Sequence, residues 1–166
     1  KSIKENIIQN HESDIYLHIT DDEYSDKYLN QEIDLNKILE ILKPKVILRF
    51  SNLNFNSNKK INNLINQYYK YYKLNCIKNE IMEIENIKYD VVIKCRPDIF
   101  LHNLINYNNI TNNIIYIPND SKIDTNKLNN ITDPHLCDAF AYGSYDEMNK
   151  YFNLYSYCNI LFQKYG

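Results

Sequence analysis

The stretch that decides the fold is Lys-Tyr-Asp-Val-Val-Ile-Lys-Cys-Arg-Pro-Asp-Ile-Phe-Leu, residues 88–101. Within it, residues 90–95 have β-branched side chains at their centre and no glycine, which favours a mostly buried strand over a helix. Pro97 cannot donate to a strand ladder and biases Arg96 away from helical geometry, so the strand ends there. Arg96 and Asp98 are therefore expected where the strand leaves the sheet.

Ligands of an open α/β sheet bind at the carboxyl ends of its strands. A guanidinium and a carboxylate two residues apart at such a point can hold a phosphate and a cation together. An Arg-Asp pair that only closes a loop explains the same residues equally well. Arg96 and Asp98 are thus candidate binding residues with a structural alternative.

On both sides of this strand, helical and strand patterns alternate. The sequence predicts helices at 1–10, 35–42 and 58–85, strands at 14–20, 45–50, 90–95, 114–117 and 138–142, and a helix that follows Ser144 and continues to Phe162. This alternation indicates one α/β domain with a largely parallel sheet. Two apolar stripes on the long helix are out of phase, which predicts a kink or break near Leu74-Asn75. Ser144 and Glu147 have the spacing of a capping box.

The length and charge of the chain exclude several classes of protein. A chain of 166 residues fits a single domain with a real core. A net charge of -2 with scattered lysines gives no basic field for nucleic acid. No apolar run reaches the roughly 18 residues that cross a bilayer, and no signal peptide opens the chain. The first residue is Lys rather than Met, which is typical of a piece of a longer polypeptide.

The positions of the cysteines and glycines exclude several kinds of binding and catalytic motif. The four cysteines are widely spaced without a C-x-x-C, which favours core thiols in a reducing, cytoplasmic compartment, although their even number leaves disulfides open. The only glycines are Gly143 and Gly166, so the chain has no dinucleotide fingerprint, P-loop or G-x-S-x-G elbow. A phosphorylated ligand would need a metal held by carboxylates, or Arg and Lys side chains.

Several segments together resemble a known family. They are Asp-Ile-Tyr-Leu-His-Ile-Thr at 14–20, Pro44-Lys45 before a strand, a tyrosine-rich helix leading into 88–98, Asp-Ala-Phe-Ala-Tyr-Gly-Ser at 138–144, and Met148 with Tyr151. From about residue 14 to 156 the chain resembles a glycosyltransferase-like family of bacterial surface-polysaccharide loci and large DNA viruses. This family is related to nucleotide-sugar transferases of the GT-A type. If the chain is viral, the virion or host cytoplasm is the expected location.

The resemblance implies a Rossmann-like GT-A domain that takes a nucleotide sugar and the hydroxyl of a glycan or protein acceptor. Such enzymes often hold Mn²⁺ or Mg²⁺ with a D-x-D motif, whereas Arg96-Pro97-Asp98 has one acid. Asp98 is then the sole side-chain metal ligand, or the site is metal-independent and Arg96 offsets the phosphate charge. GT-A domains usually begin with a strand that contacts the nucleotide. This chain begins with what looks like the following helix, so a missing first strand would leave the domain incomplete or inactive.

The same resemblance assigns candidate site residues. His18, Thr20 and Asp21 are candidates for contacting the nucleoside, and Asp138 for the base that accepts the acceptor proton. A half-buried strand histidine, a turn residue and a loop aspartate are the structural alternatives. His135 is a weaker candidate, because an exposed loop histidine explains it better.

Two functions remain open. The first is a glycosyltransferase, which requires Asp98 and Asp138 to line one cleft. The second is a non-catalytic α/β binding module, a degenerate transferase that recognises glycan or a protein partner.

Overall fold

The helices and strands follow the predicted order in a computed structural model, which describes residues 7, 12–20, 35–56, 58–96, 110–117 and 139–158. The elements are β1 (Tyr16–Thr20), α1 (Leu35–Leu42), β2 (Val46–Phe50), α2 (Lys59–Glu85), β3 (Val91–Cys95), β4 (Ile115–Tyr116), β5 (Phe140–Ser144) and α3 (Tyr145–Phe152). The mixed α/β class is therefore confirmed. The helix predicted at 1–10 lies outside the described residues, except for Ile7. Within the described ranges, no helix has the length and apolar character needed to span a membrane.

The chain contacts divide into two units. Unit 1 comprises Lys1–Ile7 and Lys88–Tyr151, and unit 2 comprises Ile8–Ile87 and Phe152–Gly166. Unit 1 holds β3, β4 and β5, whereas unit 2 holds β1, α1, β2 and α2. That the whole chain forms one domain stays a prediction.

Unit 2 contains a parallel strand pair. β1 and β2 pair in register from Tyr16 opposite Val46 to Thr20 opposite Phe50. Helix α1 lies between them in the chain and ends where Lys43 adopts a left-handed conformation, with its N–H bonded to the Leu39 carbonyl at 2.8 Å. Since parallel strands require such a crossover, both strands end at the same edge of the sheet.

Helix α2 is continuous from Lys59 to Glu85, so a break near Leu74-Asn75 is wrong, whereas a kink there stays a prediction. Its start is capped by the Asn58 side chain, which accepts hydrogen bonds from the N–H groups of Lys60 and Ile61. The apolar stripes misled the prediction because the buried face of the helix is partly polar. Its buried residues are Ile65, Asn66, Lys70, Asn75, Lys78 and Met82.

Ion pairs stabilise the amino-terminal edge of the strand pair. The Lys45 ammonium lies 2.8 Å from Asp14 Oδ2 and also contacts the Glu85 carboxylate at the end of α2. The hydrogen bond with Asp14, and to a smaller extent the one with Glu85, raises the pKa of Lys45 above its ordinary value. The start of β2 is thereby joined to the residue before Ile15 and to the last turn of α2.

Aromatic side chains also pack against α2. Tyr155, which follows α3, lies with its ring centroid 5.2 Å from that of Tyr69 and 5.5 Å from that of Tyr72. Phe55 contacts both Tyr69 and Tyr155 edge-on. The tyrosines of the helix therefore contribute to packing, which is what their helical spacing predicts.

Unit 1 contains an antiparallel sheet with the strand order β3-β5-β4. In the described residues only β1 and β2 pair in parallel, so the largely parallel sheet is not confirmed. Alternating patterns do not reveal strand direction, and β5 returns antiparallel to β3 after a long connection. A Cβ at Gly143 in β5 would lie 3.1 Å from the Ile114 carbonyl oxygen, so a larger residue there would require the backbone at Ile114 to shift by a few tenths of an ångström.

Helix α3 begins at Tyr145, directly after Ser144, as the capping-box spacing predicts. It ends at Phe152, and a separate helical turn follows at 155–158. The prediction of one uninterrupted helix is therefore wrong at Asn153 and Leu154. Phe162 lies outside the described residues.

We expect Lys78 to make stability depend on pH. Its side chain is buried, and this burial lowers its pKa from 10.5 to about 8. Between these values the unfolded chain binds a proton that the folded chain does not, so the free energy of unfolding rises with pH, by at most about 1.4 kcal/mol per unit. Water near the ammonium reduces this slope. In Lys78→Met this contribution is lost.

Urea unfolding followed by circular dichroism at pH 7.5 and 10 measures the effect. The other titrating groups are common to both proteins. The difference in unfolding free energy between wild type and Lys78→Met therefore reports the contribution of Lys78 at each pH. The wild type should gain stability relative to the variant as the pH rises. An unchanged difference between the two pH values would contradict the expectation.

Candidate ligand-binding cavity

A cavity of about 670 Å³ lies in unit 2 at the carboxyl ends of β1 and β2. Its wall comes from three segments: the end of β1 with His18 and Thr20, the loop 51–56 after β2, and the first turns of α2 up to Tyr71. This volume is in the range of small-molecule sites. The carboxyl ends of parallel strands are also the usual position of such sites in α/β sheets.

Carboxamides dominate the lining. Among the twelve lining residues that the structure describes, seven are Asn or Gln, two are Lys and none is Asp or Glu. A carboxamide both donates and accepts hydrogen bonds, so a row of them matches hydroxyl groups, which do the same. The wall is therefore suited to a polar, hydroxylated ligand.

Lys70 joins the ends of the two strands. Its ammonium donates to Thr20 Oγ1 at 2.9 Å and to Asn52 Oδ1 at 2.5 Å. The residue is 6% exposed, and its side chain lines the cavity. These two bonds orient the ammonium towards the ends of β1 and β2.

His18 continues the same set of contacts. Its Nε2 lies 3.3 Å from Thr20 Oγ1. Its ring packs on Phe50, with centroids 5.6 Å apart and planes tilted by 35°. His18 is half-buried, as its structural alternative predicts, and it also lines the cavity.

Two asparagines of α2 hold the loop 51–56. Asn66, which is 2% exposed, accepts from the Leu53 N–H at 2.7 Å and donates to the Leu53 carbonyl at 2.8 Å. Asn62 Oδ1 accepts from the N–H groups of Phe55 at 2.7 Å and Asn56 at 3.1 Å. The loop beyond β2 is thus fixed by side chains of the helix, and Asn52 is positioned within it.

A second, smaller cavity of about 370 Å³ lies in unit 1. Its lining is Ile115, Tyr116, Ile117 and Tyr142, and the two tyrosine rings stack with centroids 4.8 Å apart. A hydrogen bond with the Thr111 hydroxyl, and to a smaller extent one with the Thr111 backbone, lowers the pKa of Tyr116. The four described lining residues carry no charge, so the cavity in unit 2 is the better candidate site among the described residues.

The structure describes three of the predicted site residues, and they belong to different units. His18 and Thr20 line the cavity of unit 2 together. Arg96 is exposed at the end of β3 in unit 1, where its N–H donates to the Ala139 carbonyl at 2.9 Å. The remaining candidates, Asp21, Asp98, Asp138 and His135, lie outside the described residues, and a common cleft for Asp98 and Asp138 stays a prediction.

The divalent cation implied by the resemblance depends on Asp98. That carboxylate is outside the described part of the chain, and within the described part no group of three or more His, Cys, Asp or Glu could hold a metal. The part of the cavity lining that the structure describes contains no carboxylate. An Mn²⁺ or Mg²⁺ ion held by Asp98 therefore stays a prediction.

Sequence reasoning missed the contribution of α2. Asn62, Asn66 and Lys70 recur every four residues, which places them on one face of the helix. This polar stripe within a helix that also carries apolar stripes was the available signal. The asparagines after β2 were interpreted only as a loop, whereas the helix orders them.

Comparisons of the chain with protein-family models, curated proteins and solved structures return no match.

Asn66→Ala tests the support of the loop. The substitution removes the partner of the Leu53 N–H and of two carbonyls, and we expect a loss of about 2 kcal/mol in unfolding free energy. Hydrogen exchange at the Leu53 amide should accelerate, because this N–H donates to the Asn66 side chain.

Asn63→Ala is the matched control. Asn63 is the same residue type on the same helix, but it is exposed, so its loss should change stability by less than about 0.5 kcal/mol. Equal effects of the two substitutions on stability and on Leu53 exchange would show that Asn66 does not hold the loop.

Proposed function

We propose that the chain is a glycosyltransferase-like domain of the Rossmann-like GT-A type that binds a nucleotide-diphosphate sugar in the cavity of unit 2. The observation that carries the proposal is a buried ammonium, that of Lys70, beside a row of carboxamides at the carboxyl ends of β1 and β2. A nucleotide sugar has both features that such a wall recognises, namely negative charge and many hydroxyls.

The position of the cavity supports the proposal. His18 and Thr20, the nucleoside candidates implied by the family resemblance, are at the end of β1 and line this cavity. Loop 51–56, which follows β2, forms the adjacent wall. Since ligands of open α/β sheets lie beyond the carboxyl ends of the strands, both segments are at the expected edge.

The chemistry of the wall supports the same class of ligand. Carboxamides such as Asn63 and Gln67 can donate to one sugar hydroxyl and accept from the next. Tyr71 and His18 add aromatic rings to the lining, and an aromatic face packs against a base or a sugar ring. The residues at the cavity can therefore bind and orient a donor.

The transfer itself would use residues assigned by the resemblance. In that reaction the acceptor oxygen forms a bond to the anomeric carbon while the bond from that carbon to the diphosphate breaks. The resemblance assigns Asp138 to accept the acceptor proton and Arg96 to offset phosphate charge, and both assignments stay predictions. A divalent ion at Asp98 would stabilise the same phosphates.

The alternative function, a non-catalytic module that recognises glycan or a protein partner, is favoured by one observation. The twelve described residues that line the cavity include no carboxylate that could accept the proton of an acceptor hydroxyl. A cavity of amides and lysines is sufficient for recognition without transfer. Ligand binding is common to both functions, and turnover separates them.

Thermal melting with UDP-sugars and GDP-sugars, with and without Mn²⁺, tests donor binding. A donor present at 100 times its dissociation constant stabilises the folded chain by about 2.7 kcal/mol, so the melting temperature should rise. Free glucose and mannose are the controls for the sugar alone. We expect a shift with at least one nucleotide sugar that exceeds the shift with its free sugar.

Incubation of the stabilising donor with glycan acceptors then separates the two functions. Release of nucleoside diphosphate together with a glycosylated acceptor supports the transferase, and binding without release supports the recognition module. No shift with any donor, including in a longer chain that carries the upstream residues, would overturn the proposal.

A further inference from the structure

We propose that Lys70 is the phosphate-binding residue of the cavity and that Thr20 and Asn52 are positioning residues that aim its ammonium. This inference rests on the proposed function, because it assigns the diphosphate end of the donor to one side chain. The sequence alone suggested Arg96 for this role, and Arg96 belongs to unit 1.

Lys70 has the placement that a phosphate-binding residue requires. It belongs to α2, and its side chain spans to the end of β1 through Thr20 and to the loop after β2 through Asn52. The ammonium is therefore at the carboxyl edge of the strand pair, where the cavity lies. A ligand in the cavity meets this charge beside the carboxamides of the wall.

The burial of Lys70 strengthens the interaction that it can offer. At 6% exposure, its charge is less screened by water and salt than that of a surface lysine. A charge-assisted hydrogen bond to a phosphate oxygen is about twice as strong as a neutral one. The Lys70 ammonium can therefore select for ligands that carry phosphate.

The two hydrogen bonds also reduce the cost of binding. A lysine side chain ordinarily loses rotamer freedom when it is immobilised by a ligand. Lys70 is already held by Thr20 Oγ1 and Asn52 Oδ1, so much of that freedom is lost before the ligand arrives. Asn52 is in turn held in place because Asn66 fixes the neighbouring Leu53.

A purely structural role would be to join β1 and β2 without contact to a ligand. The two roles differ in what they predict for small anions. A structural lysine affects stability alone, whereas a phosphate-binding lysine also changes the affinity for inorganic diphosphate. Inorganic diphosphate is therefore the first probe, and UDP-glucose and GDP-mannose are the second.

Isothermal titration of four proteins provides the test: wild type, Lys70→Met, Lys70→Arg and Lys60→Met. Lys70→Met should bind diphosphate at least tenfold more weakly than wild type, which corresponds to about 1.4 kcal/mol. Lys70→Arg keeps the positive charge and should recover most of the affinity. Lys60→Met makes the same change in net charge on α2 outside the cavity lining and should bind within about twofold of wild type.

Salt provides a second readout. The affinity of the wild type for diphosphate should fall as ionic strength rises, and the fall should be smaller in Lys70→Met. If Lys70→Met does not fold by circular dichroism, Thr20→Val replaces it, because this substitution removes one of the two bonds that aim the ammonium and keeps the charge. Thr20→Val should then bind diphosphate several-fold more weakly than wild type.

The outcomes separate this inference from the proposed function. Diphosphate binding that is equal in wild type and Lys70→Met, or undetectable in wild type at millimolar concentration, overturns the inference. When Thr20→Val is the variant used, affinity equal to that of wild type overturns it. Lys70-dependent diphosphate binding without binding of either nucleotide sugar supports the anion site and counts against the sugar-nucleotide function. Nucleotide-sugar binding that is indifferent to Lys70 supports the function and overturns the inference.

Discussion

The hydrogen bonds of the Lys70 ammonium to Thr20 and Asn52 join α2 to the ends of both parallel strands. Through these two bonds, a single residue of the helix contacts both the end of β1 and the loop after β2. A lysine can make it because one ammonium has three donors that diverge from a single nitrogen. The geometry of the cavity depends on this one buried cation.

Two other sets of contacts in unit 2 fix the strands, the loop and the helix around Lys70. At the opposite edge of the strand pair, Lys45 joins Asp14 to Glu85 through ion pairs. Beside the cavity, Asn62 and Asn66 hold the backbone of loop 51–56 through their carboxamides. A rigid helix with polar residues on its buried face therefore serves both as a packing element and as a wall of the site. Preorganised polar groups of this kind favour binding because little order is lost when the ligand arrives.

Local patterns predicted local structure well. The alternation at 14–20 and the turn signals around 44 and 58 led to strands and helices that begin and end within about two residues of those observed. The direction of strand pairing was not accessible, because β3 and β5 are separated by a long polar segment with no pattern that encodes direction. Lys70 was missed for a related reason: its partners are 50 and 18 residues away in the sequence. The spacing of Asn62, Asn66 and Lys70 shows a polar stripe on α2, but it does not show which distant residues Lys70 contacts. His18 and Thr20 were found because the residues at the end of a strand are visible in the alternation itself.

The most direct test of a donor site at this edge is a map of backbone amide chemical shifts during titration of the isotope-labelled protein with UDP-glucose and GDP-mannose. The account predicts that at least one donor shifts the amide resonances of Thr20, Asn52 and Gln67 progressively and saturably. Unchanged resonances at these three positions with both donors at saturating or millimolar concentration would contradict it, even if amides of unit 1 responded.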